Sequence, residues 1–193
     1  MKKEIWKIRR FLLLILYYFA CVLPTSAQQL YTAVSTEVRF FSDAPLEDIE
    51  AVNKEGQSLI NTQTREVAVK IPINSFVFPN KLMQQHFNEN YLESDKFPHA
   101  TFLGKISEAI NFKAPGTYDV TATGKMTLHG VERNQTIKGK LTIEPGKFNL
   151  DAAFDVLLAD HKIKIPKMVF MKIAEKIAVT VKSSYMPYEK KPQ

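Results

Sequence analysis

The sequence predicts an all-β fold, an antiparallel barrel of about eight strands with one short helix. Three observations lead there. Apolar and polar residues alternate with period two in at least five separate stretches, which marks strands with one buried and one wet face. Parallel strands are covered on both sides and read as unbroken apolar runs, so the alternation points to antiparallel pairing. Short turns containing Pro, Gly or Asn separate the stretches, as hairpins require. The stretches are long: ten residues at about 3.3 Å each span about 33 Å, and roughly eight such strands enclose room for one small ligand.

A leader precedes the strands. Lys2, Lys3, Lys7, Arg9 and Arg10 come before an apolar run from Phe11 to Leu23, and Pro24-Thr25-Ser26-Ala27 supplies small residues ahead of Gln28. That is the layout of a secretory signal peptide over residues 1–27. The run is shorter than the roughly 20 residues of a membrane span. The alternatives are an uncleaved anchor or lipid attachment at Cys21, although Tyr18 stands where a small aliphatic residue is expected for the latter. The mature chain, 28–193, is then a single domain, periplasmic or secreted, with no cysteine and no stable membrane span. Without disulfides its own core must stabilise it.

Removing the leader lowers the net charge from +6 to +2, with 21 basic and 19 acidic residues remaining. The basic balance of the whole chain therefore says little about nucleic acid. No basic stripe interleaved with aromatics follows, which excludes the usual footprint of a DNA or RNA binder.

Strands are expected over 31–41, 48–53, 57–62, 66–78, 99–112, 117–129, 135–144, 149–159 and 176–187. In order, the apolar phases include Val67, Val69, Ile71 and Ile73, then Val120, Ala122, Gly124, Met126 and Leu128. Ile137, Gly139, Leu141 and Ile143 follow, then Phe154, Val156 and Leu158, and finally Ile177, Val179 and Val181. Ala114-Pro115-Gly116, Glu132-Arg133-Asn134 and Glu144-Pro145-Gly146 read as the turns between them. Leu82, His86, Phe87 and Tyr91 recur at helical spacing after Pro79-Asn80, so residues 81–93 are expected to form the helix. Residues 166–174 read as a loop with a helical turn. Ala122, Gly124, Gly139 and Ala152 are small for inward positions and leave volume that a ligand or neighbouring Phe and Met side chains can fill.

Three stretches resemble the YceI-like family of polyisoprenoid-binding or lipid-binding proteins. The first runs through His86-Phe87, Tyr91-Leu92-Glu93-Ser94, Phe97-Pro98 and Thr101-Phe102. The second is Gly124-Lys125-Met126-Thr127-Leu128-His129-Gly130-Val131, and the third runs from Phe154 through Asp160 to Ile163. In the third, Ala159-Asp160-His161-Lys162-Ile163 replaces the family's usual Arg-x-x-Phe-Gly wording. The resemblance implies a lipocalin-like barrel in the cell envelope, holding an isoprenoid or similar amphiphile in its lumen.

Signals for catalysis are weak by comparison. His86, His99, His129 and His161 lack the i, i+2 or i, i+4 spacing of metal ligands, so neither a metal nor a cofactor is expected. Asp160 and His161 are adjacent and point to opposite faces of a strand. Ser35, Ser42, Ser75 and Ser183 lack a nucleophile elbow. His129, beside Gly130 on a polar phase, reads as a surface or turn residue.

The expectation is thus a non-enzymatic binder of an isoprenoid or lipid-like ligand. Its lumen contacts are expected to be Phe76, Phe102, Met126, Leu128, Leu141, Phe154 and Leu158, with His86 and Tyr91 at the pocket rim. The alternative is a filled barrel acting through its outer surface, for which Phe40-Phe41 and Phe76-Val77-Phe78 are hints because adjacent aromatics cannot all point inward. A homodimer is compatible with either.

Overall fold

A computed structural model describes residues 30–44, 48–165 and 173–189. The leader expected over 1–27 lies outside the described residues, as does nearly all of the turn expected over 166–174. Nine strands follow in chain order: β1 Leu30–Ser42, β2 Ile49–Asn53, β3 Gln57–Asn61, β4 Glu66–Pro72, β5 His99–Ile106, β6 Gly116–Leu128, β7 Val131–Glu144, β8 Lys147–Leu157 and β9 Lys176–Pro187. Each pairs antiparallel with its neighbour, and a β1–β9 ladder closes the sheet on itself.

The ring has eight walls, because β2 and β3 are two halves of one strand. Ser42 faces Ile49 and Val38 faces Asn53, and the same register resumes where Thr32 faces Leu59 and Leu30 faces Asn61. The break has a local cause. Asn53 is fully buried; its side-chain amide donates to the Pro72 carbonyl at 2.7 Å and its oxygen accepts the Glu55 N–H at 2.8 Å. That Asx turn pulls the chain off the ladder, and Gly56 fits where a Cβ would lie 2.7 Å from Ile71 and 2.8 Å from Thr36.

Several expected boundaries move for readable reasons. The strand expected over 66–78 stops at Pro72, which has no N–H to extend the ladder, and a 3₁₀ turn follows at Ile73–Ser75. Beyond it, one bridge joins Val77 to Val52. The strand expected to 112 ends at Ile106, and the Asn111 side chain, accepting from the Lys113 N–H, starts a turn instead. The hairpin assigned to Glu132-Arg133-Asn134 lies at His129-Gly130, whose φ values of 50° and 69° make the two-residue turn, while 132–134 are strand. The eighth strand ends at Leu157, and Leu158–His161 form a 3₁₀ turn.

The helix starts where Asn80 accepts the N–H groups of Leu82 and Met83 at 2.9 and 3.4 Å, a strong cap. It is α-helical over Lys81–His86 (α1) and widens into a π turn over Phe87–Tyr91.

Strand register stacks the inward side chains in layers. Val120, Gly139, Ala152, Val181 and Val38 share one layer; Tyr118, Leu141, Leu150, Ser183 and Thr36 share the next; Gly116, Ile143, Phe148, Tyr185 and Ala33 share the third. The last two layers are filled. Leu141 and Ile60 are fully buried, and Phe148 stacks on Tyr185 at 4.9 Å. Polar groups in this plug satisfy one another, with Ser58 and Tyr185 hydroxyls 2.7 Å apart and Ser183 donating to Thr36 at 3.2 Å. Burial pushes the Tyr185 phenol up.

Gly124 faces Gly104 across β5 and β6. A Cβ on Gly124 would lie 2.2 Å from the Leu103 carbonyl oxygen and 2.3 Å from the Gly104 Cα. The residue therefore permits close strand approach and does not leave lumen volume. Gly124→Ala must push two backbones apart and is expected to cost about 3 kcal/mol, the upper part of the usual overpacking range. Urea unfolding checks this.

Candidate ligand-binding lumen

Above the plug the barrel is hollow. A cavity of about 550 Å³ fills the other end, inside the roughly 300–1,000 Å³ range of small-molecule sites. Its floor is the Gly139–Ala152 layer, where two small side chains leave the centre open. Ala100, Ala122, Val69, Ile71 and Val179 continue the wall upward. Alternate residues of β1 and of β4 to β9 contribute, as a half-buried pleat dictates, while the β2–β3 wall adds Ile49.

At the open end lie the adjoining ends of β1 and β2, the 73–98 connection with α1, the β6–β7 hairpin and the 3₁₀ turn after β8. Four phenylalanines gather on one side. Phe87, from the π turn, stacks on Phe40 at 5.5 Å and lies 5.6 Å from Phe76 and 5.0 Å from Phe78. Phe41 and Val77, which alternate with them, point outward. Met83, His86, Phe87, Tyr91 and Leu92 all face the cavity, so the helical segment covers the mouth. The π turn makes this possible: the Leu92 N–H reaches the Phe87 carbonyl at 2.9 Å, and the wider turn brings Tyr91 and Leu92 onto the cavity face together. Burial raises the Tyr91 phenol.

Of the residues expected to line the lumen, Phe76, Phe102, Met126, Leu128, Phe154 and Leu158 do line this cavity, and His86 and Tyr91 stand at its covered mouth. Leu141 does not. It sits one layer below the floor, packed in the plug, because alternation tells which face a residue occupies and not its height along the barrel. Val38, Phe40, Val69, Ile71, Val179 and Val181 also line the cavity; the alternation phase was the signal that could have named them. Phe87 and Leu92 needed the π turn, which spacing alone does not announce.

A polar node holds the mouth together. The Glu93 carboxylate lies 3.0 Å from Nε2 of His129 and pairs with the Lys96 ammonium. His129 Nδ1 lies 3.0 Å from the His161 carbonyl oxygen, and the buried His161 ring donates to the Val131 carbonyl at 3.1 Å. His129 is thus in a turn, as expected, but its ring is covered by Phe97 and is not a surface group. Its left-handed φ turns the side chain off the strand's alternation.

Hydrogen bonds from Lys96 and then His129 hold the Glu93 carboxyl below its ordinary value of 4.5. A carboxyl lowered on folding adds stability above its unfolded pKa, and that contribution is lost as pH falls through the folded value. The melting-temperature gap between the wild type and Glu93→Gln is therefore expected to be open near neutrality and to close as pH drops below 4.5. Thermal melts across that range check it.

No group of three His, Cys, Asp or Glu side chains able to hold a metal occurs among the described residues, and no helix among them is long and apolar enough to cross a membrane.

Closed walls, a packed floor and an apolar cavity beside a short helix define an antiparallel β-barrel with a hollow interior. The family model for the YceI-like domain matches residues 31–185, and the chain belongs to that family. No curated protein shows a significant sequence match. Among solved structures, a polyisoprenoid binding domain from Saccharophagus degradans, implicated in plant cell wall breakdown, is similar with a TM-score of 0.71 at 13% identity, covering 82% of this chain and 98% of that one. BcnA of Burkholderia cenocepacia is similar with a TM-score of 0.64 at 16% identity, covering 77% and 95%. The YCEI protein of Campylobacter jejuni gives 0.55 at 16%, covering 86% and 89%. At these identities the likeness is one of fold.

Proposed function

We propose that this protein binds an isoprenoid or other long-chain amphiphile in its lumen and carries or shields it within the cell envelope, without catalysing a reaction. The observation that carries this reading is the cavity of about 550 Å³, floored at one end and lined almost wholly by hydrocarbon. The family membership and the polyisoprenoid-binding relative point the same way.

The energetics are adequate. Burying hydrocarbon contributes about 0.8 kcal/mol per CH₂, so a dozen carbons supply roughly 10 kcal/mol gross. Lost freedom on association offsets several of those. Phe102, Met126, Leu128 and Phe154 form the wall against the tail, with Phe76 and Leu158 above them. The plug forces the tail to enter first, and the head stays at the mouth beside His86 and Tyr91, where one or two hydrogen bonds suffice to orient it.

Titration with a fluorescent polyene fatty acid tests this. Saturable binding at one molecule per chain, reversed by a long isoprenoid alcohol, is expected. Absence of saturable binding by both ligands would defeat the reading.

A further inference from the structure

The three sequence stretches that carry the family resemblance are far apart in the chain, yet they meet at one point on the rim. Glu93 ends the helical cover, His129 turns the β6–β7 hairpin, and His161 closes the 3₁₀ turn after β8. Among the described residues, three of the four non-glycine residues with left-handed φ lie here: Glu93 at 44°, His129 at 50° and Lys162 at 57°. Such backbone is retained only where its surroundings over-determine it. Both ring nitrogens of His129 lie 3.0 Å from oxygen atoms, Nε2 from the Glu93 carboxylate and Nδ1 from the His161 carbonyl.

We propose that Glu93, His129 and the His161 turn form a latch that holds the helical cover over the lumen mouth and sets how fast a bound amphiphile leaves. The far end of the barrel is packed, so a guest leaves by the end where Met83, Phe87, Tyr91 and Leu92 line the cavity. Phe87 anchors the cover to Phe40, Phe76 and Phe78 at one end. The Glu93–His129 contact anchors the other, and it is the end that can release without uncovering the aromatic cluster. The statement about exit rate rests on the lumen-binding reading, whereas the statement about the cover does not.

Two measurements on the full chain separate them. Glu93→Gln keeps an acceptor and removes the charge, and His129→Asn tolerates the left-handed backbone while losing one of the two bonds. In either variant, amide exchange at Leu92 and Ser94, whose N–H groups bond Phe87 and Asn88, is expected to quicken about tenfold, equivalent to about 1.4 kcal/mol. Strand amides are expected to keep their rates. Release of the polyene fatty acid, followed by stopped flow, is expected to quicken by a similar factor, and the double variant to add little to either single one. Unchanged exchange in both variants overturns the latch, as does faster exchange spread over all strands. Quicker exchange with an unchanged release rate overturns its control of exit. A wild-type chain that takes up no fatty acid overturns the lumen reading, and the exchange data still decide whether the cover is latched.

Discussion

Ala152→Phe is expected to abolish uptake of a long-chain amphiphile while leaving the barrel folded. Ala152 lies in the floor layer between Gly139 and Val181 and faces open cavity. A benzyl group there occupies the space that the end of a tail would use. Excluding about six methylenes forfeits about 5 kcal/mol at about 0.8 kcal/mol each, more than a thousandfold in affinity. The substituted ring replaces void with apolar contact and buries no polar group, so the melting temperature is expected to hold or rise. Titration with the polyene fatty acid beside a thermal melt reads both quantities. Undiminished binding by a folded Ala152→Phe chain would place the ligand somewhere other than the lumen.

The second large effect is expected one layer down. Leu141 is fully buried in the plug, among Ile60, Ile143 and Phe148. Leu141→Ala removes that packing and is expected to cost about 2–5 kcal/mol, according to how far the neighbours close the void. The same change opens the floor beneath Gly139 and Ala152. Longer tails are therefore expected to gain affinity relative to shorter ones, although the protein is less stable. Urea unfolding gives the first quantity, and competition among fatty acids of graded length gives the second. A cost below 1 kcal/mol with no change in length preference would mean that the plug is not the floor.

These two positions also mark where sequence reasoning succeeds and where it stops. Period-two alternation placed both Ala152 and Leu141 on an inward face, and the register agrees. Nothing in the alternation states how deep each lies, because depth follows from how eight strands are staggered around the ring. Gly124 and Gly139 looked alike in sequence; both relieve a backbone contact, and only Gly139 also borders the cavity. The helix was legible from Asn80 and the spacing of Leu82, His86, Phe87 and Tyr91, but the π turn that aims Leu92 inward was not. The break between β2 and β3 was legible as the gap between the strands expected over 48–53 and 57–62, but its cause, a buried Asn53 bonding Pro72 19 residues away, was not. The latch was least legible of all. In the sequence Glu93 closes the expected helix, His129 reads as a surface or turn residue, and His161 reads as one of an adjacent pair with Asp160.

Whether the chamber holds a guest is read most directly from the purified protein itself, by native mass spectrometry followed by solvent extraction. A folded chain carrying one additional mass, released on extraction as an isoprenoid or fatty acyl compound and missing from Ala152→Phe, is the expected result. A bare mass that stays bare after incubation with such compounds would contradict a lipid-filled lumen.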